Sequence, residues 1–317
     1  MKSFVYYLCC FFIGCNTLFA QQSPVFQVVP LGVKGGVDES NLSAYLVAPI
    51  QSSKYVCLDA GTIHAGIEKS VANKVFNVPT STVLQDYIKG YLISHAHLDH
   101  VSGLIINSPA DSPKTIYATQ ECMAMMQNHY FNGETWANFG DEGPGFQIKR
   151  YHFKTLNLLE EIPISNTDMW VTPFPLSHVN PFRSTAFLIR KNEDYILYLG
   201  DTGPDAIEKS ADLKNLWKVI APLIKSKKLR AMFIEVSFPN HQADTALFGH
   251  LTPNWFYKEL KVLQDLTGKK ALTGFNTIIT HLKLPVENMT AIKKQLQDQN
   301  DLGLNLIFPE QGEKLEF

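Results

Sequence analysis

Short apolar runs of strand character recur along the chain, at Ala44–Ala48, Tyr55–Leu58, Gly90–Ile93, Thr115–Ala118, Trp170–Pro173, Thr185–Ile189, Tyr195–Leu199, Ala231–Ile234 and Asn305–Phe308. Their shortness and their β-branched and aromatic content favour strands over helices. Segments with helical periodicity lie between several of them, at Gly66–Val75, Ala211–Ile224, Pro253–Leu266 and Val286–Gln299. Many strands with fewer interspersed helices predict an α/β sandwich of two mixed sheets with helices on the outer faces. No repeat or low-complexity tract divides the chain, so residues 21–317 are expected to form a single domain.

Residues 120–165 break this rhythm. Tyr130, Phe131, Trp136, Phe139 and Phe146 stand beside the run Gly140-Asp141-Glu142-Gly143-Pro144-Gly145, whose glycine and proline density marks a loop. Two readings stand open: the aromatics form a lid over a ring-shaped ligand, or they pack a helix onto the core.

The first twenty residues differ again. Lys2 precedes the apolar stretch Phe4–Ile13, and Leu18-Phe19-Ala20 ends before Gln21-Gln22. A basic start, a short apolar run and a small residue at the cut describe a secretory signal peptide, over 1–20. The run is too short for a membrane span. Export to the periplasm or medium is therefore expected, and a lipid anchor at Cys15, after Phe12-Ile13-Gly14, is the alternative. Cleavage after Ala20 would leave Cys57 and Cys122, which sit in no CxxC motif and are expected to be buried thiols.

Composition narrows the function classes. Of 317 residues 45% are hydrophobic and 18% charged, with a formal net charge of −2. That excludes the basic surface needed to track a nucleic-acid polymer, while a small anionic ligand stays compatible through a local metal site. Oligomeric state is left open, a homodimer being compatible.

The chemistry concentrates in Ile93-Ser94-His95-Ala96-His97-Leu98-Asp99-His100. A strand delivers the segment to a sheet edge, alternation points His95 and His97 the same way, and a helix starting at Asp99 or His100 swings these two toward a neighbouring point. Such a set of imidazole and carboxylate donors suits two adjacent divalent metals, zinc above all, with manganese or iron as alternatives. Further donors end apolar runs downstream: His178 after Thr172–Ser177, Asp201 after Tyr195–Gly200, and His281 after Thr277–Thr280.

This pattern resembles the metallo-β-lactamase superfamily, and most closely its di-zinc hydrolases with a bridging aspartate. The resemblance implies an αββα sandwich. It also implies one zinc on His95, His97, His178 and Asp201, and a second on Asp99, His100, His281 and the shared Asp201. A narrower resemblance, to class II cyclic-nucleotide phosphodiesterases, rests on His95–Leu104, Glu235-Val236-Ser237-Phe238 and Gly249-His250-Leu251-Thr252-Pro253. It implies hydrolysis of 3′,5′-cyclic nucleotides, cyclic AMP and also cyclic GMP, by a hydroxide shared between the metals. Asp99 would then also orient the nucleophile. His250, where a loop gives way to a helix near Pro253, would bind phosphate or protonate the leaving oxygen. Glu235 is expected behind a ligand histidine, and His64 near the site in a structural role. The alternatives are a lactonase, an arylsulfatase-like enzyme or another phosphodiesterase on the same scaffold, or an exported binding protein without catalysis.

Overall fold

Every residue of the strand Ala44–Pro49 is buried, because both of its faces are covered. Ala44, Leu46 and Ala48 face one core, while Tyr45 and Val47 face another. The neighbouring strand Tyr55–Leu58 divides in the same way, with Tyr55 and Cys57 outward and Val56 and Leu58 inward. Strands covered on both faces read as continuous apolar runs, which is why these stood out in the sequence.

The computed structural model describes Met1 and residues 23–317 apart from Asn180. Met1 aside, the expected signal segment over 1–20 lies outside the described residues. Among those described, an eight-stranded sheet runs in the spatial order Leu315–Glu316, Phe26–Gly32, Ala44–Pro49, Tyr55–Leu58, Ile88–Leu92, Lys114–Thr119, Gln147–Leu156, Asn138–Gly140. A seven-stranded sheet runs Asn305–Ile307, Asn276–Thr280, Leu229–Glu235, Asp194–Leu199, Arg183–Lys191, Trp170–Ser177, Ile162–Pro163. Both are mixed, with parallel pairs such as Tyr55–Leu58 beside Ile88–Leu92 and antiparallel ones such as Trp170–Ser177 beside Arg183–Lys191.

Three apolar layers hold the stack. Phe26, Tyr45, Leu92, Phe187, Tyr198 and Phe233 fill the space between the sheets. The helices His64–Ala72, Leu98–Asn107 and Gln120–His129 cover the outer face of the first sheet through Ile67, Leu104 and Met126. Asp212–Lys225, Pro253–Thr267 and Val286–Asp298 cover the second through Trp217, Phe256, Leu260 and Ile292. Each such fully buried side chain stabilises the fold by roughly 1.5–3 kcal/mol. The arrangement is the expected helix–sheet–sheet–helix sandwich. Among the described residues no helix is long and apolar enough to cross a membrane.

In 120–165 the aromatics divide: two pack into the core, while Tyr130 donates its hydroxyl to the Ala96 carbonyl at 2.8 Å, between His95 and His97. Phe131 and Phe139 are buried, and the Phe131 ring lies 5.9 Å from Tyr151 and 6.2 Å from Phe153. Trp136 donates its indole N–H to Ser108 Oγ at 3.0 Å, and Phe146 alone of the five is largely exposed. Cys57 and Cys122 are free and buried, as expected.

Candidate metal centre

The strand ends bring the chemistry together. The strand Tyr55–Leu58 ends before Asp59, Ile88–Leu92 before His95, Trp170–Ser177 before His178, Asp194–Leu199 before Asp201, and Asn276–Thr280 before His281. The helix Leu98–Asn107 opens with His97 at its cap, so Asp99 and His100 lie in its first turn. Two of these residues, Asp59 at φ 51° and His281 at φ 59°, hold left-handed backbone, which costs a residue with a side chain about 1–3 kcal/mol and clusters at functional sites.

Asp201 stands at the middle. Its Oδ2 lies 3.3 Å from Nε2 of His100, 3.3 Å from Nε2 of His281, and 3.9 Å from Nε2 of both His95 and His178. Around it His95, His97 and His178 form one triad of converging donors, and Asp99, His100 and His281 form another. All seven residues anticipated from the sequence therefore lie together around Asp201, and His250 shares two further donor groups with them, one with His178 and Asp201 and one with Glu235 and His281. His95 Nε2 approaches His97 Nδ1 at 3.0 Å, and His100 Nε2 approaches His281 Nε2 at 3.1 Å.

The outer nitrogens of His95, His100, His178 and His281 are engaged, which turns their Nε2 atoms inward. An ionised carboxylate and a carbonyl only accept, so His100 donates Nδ1–H to Asp59 at 2.8 Å and His178 donates Nδ1–H to the Gly249 carbonyl at 2.9 Å. Ser94 gives its hydroxyl proton to Asp59 at 2.8 Å, which leaves its oxygen to accept from His95 Nδ1 at 3.0 Å. Ser237 likewise donates to Glu235 at 2.7 Å and accepts from His281 Nδ1 at 2.9 Å. Histidines held from behind in this way, with Nε2 forward, have the orientation that metal-ligating imidazoles adopt. Inward imidazole nitrogens gathered around buried carboxylates need positive charge between them, which protons or a divalent metal can supply, so the donor set fits divalent metal.

Charge states follow the same geometry. Burial holds His95 well below the usual imidazole value and His97 down to about 4, keeping both neutral and able to ligate. Burial opposes ionisation of Asp201 and Asp99, but positive charge on the imidazoles of His281 and His100 outweighs it and holds both carboxyls well below the usual range. Burial likewise opposes the charge on His100, but Asp201, Asp59 and Asp99 outweigh it and raise that imidazole well above its usual value. Burial, then the nearby Asp201, pushes Glu235 up to about 7.

His250 joins this site without joining either triad. Its Nδ1 lies 2.7 Å from Glu235 Oε1 and 3.8 Å from Asp201 Oδ2, and its Nε2 meets Lys283 Nζ at 2.8 Å. Burial holds it well below the usual imidazole value, so the cationic form expected as a phosphate ligand is disfavoured. Glu235 thus backs His250 directly and His281 only through Ser237. His64 is exposed at the start of its helix, 3.2 Å from Glu68, and takes no part. Sequence reasoning missed Ser94, Ser237 and Lys283 and gave Asp59 no role. The only local signal was an aspartate at a strand end before Ala60-Gly61, since the carboxylate's partners Ser94, His100 and Tyr198 are distant in sequence.

Comparison with known proteins agrees with the geometry. The chain is 46% identical to the 3′,5′-cyclic-nucleotide phosphodiesterase of Aliivibrio fischeri, over 94% of this chain and 95% of that one. Unliganded yeast PDE1 superposes with a TM-score of 0.82 at 24% identity, over 93% of this chain and all (100%) of that one. The metallo-β-lactamase fold protein YhfI of Bacillus subtilis superposes with a TM-score of 0.58 at 16% identity, over 92% and 99%. These two establish the fold. The family model for class-II cAMP phosphodiesterases matches residues 25–312, and the chain belongs to that family.

Proposed function

We propose that the protein hydrolyses 3′,5′-cyclic nucleotides, cyclic AMP first and cyclic GMP with it, to nucleoside 5′-monophosphates, using two divalent cations. The observation that carries this reading is the convergence of two donor triads on Asp201 Oδ2, in a chain of the class-II cAMP phosphodiesterase family. Imidazole and carboxylate donors favour zinc, with manganese or iron as alternatives. Bound cations would polarise the phosphoryl oxygens and lower the pKa of a shared water to about 7, supplying a nucleophile at neutral pH.

The chain's own groups do the rest. His95, His97 and His178 would hold one cation, Asp99, His100 and His281 the other, and Asp201 both. Asp99, whose Oδ2 accepts the Gly36 N–H at 2.9 Å, is placed to orient the attacking water. His250 is placed to give a proton to the leaving 3′-oxygen. That proton has to be taken up as the substrate binds, because in the free site the ring gives its Nδ1–H to Glu235, accepts from Lys283 at Nε2 and is kept neutral by burial. The basic and apolar character of 1–20 supports export, which a mature amino terminus at Gln21 would verify.

The test is turnover of cyclic AMP, cyclic GMP, a lactone and an aryl phosphodiester by purified protein, with and without chelator. Chelator-sensitive formation of 5′-AMP, well above aryl-ester cleavage, is the expected result. Activity on the lactone or aryl ester alone would overturn the cyclic-nucleotide assignment while leaving the metal centre standing.

A further inference from the structure

Lys283 is the cation that neither the metal centre nor the His250–Glu235 pair accounts for. Its Nζ lies 2.8 Å from His250 Nε2 and 5.3 Å from the centre of the Phe238 ring. Phe238 in turn stands edge-on to His250, with centroids 5.7 Å apart. Among the described residues no carboxylate pairs with this lysine, although its charge reaches Glu235. The backbone beneath it is pinned, because Leu282–Lys283 pairs with Lys34–Gly35 as a two-stranded parallel ladder. The side-chain stem passes the Cβ position of Gly36 at 3.9 Å, and Gly36 is the residue whose N–H holds Asp99. Lys283 is half-buried, its stem beside Gly36 and its ammonium on His250.

An ammonium group carries three donors. One here meets an imidazole nitrogen, and an aromatic face supplies a second, weaker contact. Among the described residues no further acceptor meets it. An unpaired cation held rigidly beside a metal centre is suited to an anionic oxygen brought in by a ligand.

We propose that Lys283 binds a phosphoryl oxygen of the nucleotide, transferring its hydrogen bond from His250 Nε2 to the phosphate. Phe238 holds the ammonium in place through the exchange. This rests on the cyclic-nucleotide reading given above. A cyclic diester carries one negative charge, whereas a 5′-monophosphate carries close to two at neutral pH. The same lysine therefore retains the product more strongly than the substrate, and product retention at this centre is set in part by Lys283.

The experiment compares wild type, Lys283→Met and Lys283→Arg, each with metal content measured. Binding of 5′-AMP and of inorganic phosphate is followed by calorimetry, and kcat and KM for cyclic AMP are measured alongside. Hydrogen bonds to charged groups predict that Lys283→Met weakens 5′-AMP binding by about tenfold to a hundredfold. KM for cyclic AMP should rise by a smaller factor, metal content should stay at the wild-type level, and Lys283→Arg should recover most of the affinity. Undiminished affinity of Lys283→Met for 5′-AMP and phosphate, at full metal content, would overturn the proposal. So would a fall in kcat with 5′-AMP affinity intact, which would make the lysine a positioning residue for His250 alone. A wild type that binds phosphate but neither hydrolyses cyclic AMP nor binds 5′-AMP would sink the cyclic-nucleotide reading instead, and the phosphate comparison would still decide the role of the lysine.

Discussion

Asp59 accepts the Nδ1–H of His100 at 2.8 Å, and the carboxylate is wholly buried. It also accepts the Ser94 N–H at 2.7 Å and hydroxyl at 2.8 Å, and the Tyr198 hydroxyl at 2.6 Å. Through Ser94 the same aspartate reaches His95, so one residue behind the centre fixes a ligand in each triad. Glu235 repeats the device on the other side, directly on His250 and through Ser237 on His281.

Asp59→Asn should therefore weaken metal binding without touching a ligand. The amide would present N–H groups or a single oxygen to donors that all require acceptance, loosening His100 and His95 together. Loss of a partner behind a ligand histidine typically lowers metal affinity by about 10–100-fold. Competition with a chromophoric chelator measures it, and wild-type retention by Asp59→Asn would show that Asp59 only supports the fold.

Chelation should also destabilise the fold. Without a cation, inward imidazole nitrogens and buried carboxylates face one another around Asp201. A cation present at about 1,000 times its dissociation constant adds about 4 kcal/mol, which for a chain of this size corresponds to roughly six degrees in Tm. Thermal unfolding with excess chelator, then with zinc restored, checks this. An unchanged Tm would mean the donors hold no metal in the folded protein.

Legibility in the sequence followed how local each feature was. The segment from His95 to His100 could be read because five consecutive bonds carry its donors to one point, on a strand end turning into a helix. His178, Asp201 and His281 could be read because each stops a doubly buried strand. Asp59, Ser94, Ser237 and Lys283 could not, since their roles exist only through partners elsewhere in the chain: Tyr198 lies 139 positions from Asp59, and His281 lies 44 from Ser237. The strand Phe26–Gly32 escaped because Pro30 and Gly32 read as breakers, whereas the structure uses them at a register shift against Ala44–Pro49. Gln147–Leu156 escaped because much of it is solvent-exposed, which removes the apolar run that marks an interior strand.

A pH effect independent of the metals is expected from Glu259. This residue on the helix Pro253–Thr267 is buried, and burial together with the nearby Asp205 pushes its carboxyl up to about 7 from the usual 4.5. The folded chain thus holds a proton that the unfolded chain releases earlier. That contribution is complete below pH 4.5, declines as pH rises toward 7, and is lost above it. Glu259→Gln, which keeps the shape without the charge, should be roughly 2–3 kcal/mol more stable than wild type at pH 8 and no more stable at pH 4.5. Urea unfolding at the two pH values decides it. An equal difference at both would place the effect in packing rather than in ionisation.

Two glycines permit a separate lesion in each half of the centre. A Cβ on Gly35 would stand 2.1 Å from Cε1 and 2.3 Å from Nδ1 of His281, and that ring is held by Ser237 and Asp99 with no room to withdraw. A Cβ on Gly249 would stand 2.6 Å from Nδ1 of His178 and 2.5 Å from the Val179 nitrogen, at a φ of +73° that alanine adopts poorly. Gly35→Ala should displace His281 and empty the Asp99–His100–His281 half, whereas Gly249→Ala should displace His178 and empty the His95–His97–His178 half. Each variant should retain about one cation per chain, with kcat for cyclic AMP lowered by about a hundredfold or more, because water activation and phosphoryl polarisation are shared between the cations. Elemental analysis of the purified variants reads the stoichiometry. Full occupancy in both would mean the rings can move aside, and loss of both cations in either would mean that Asp201 couples the halves into a single binding event.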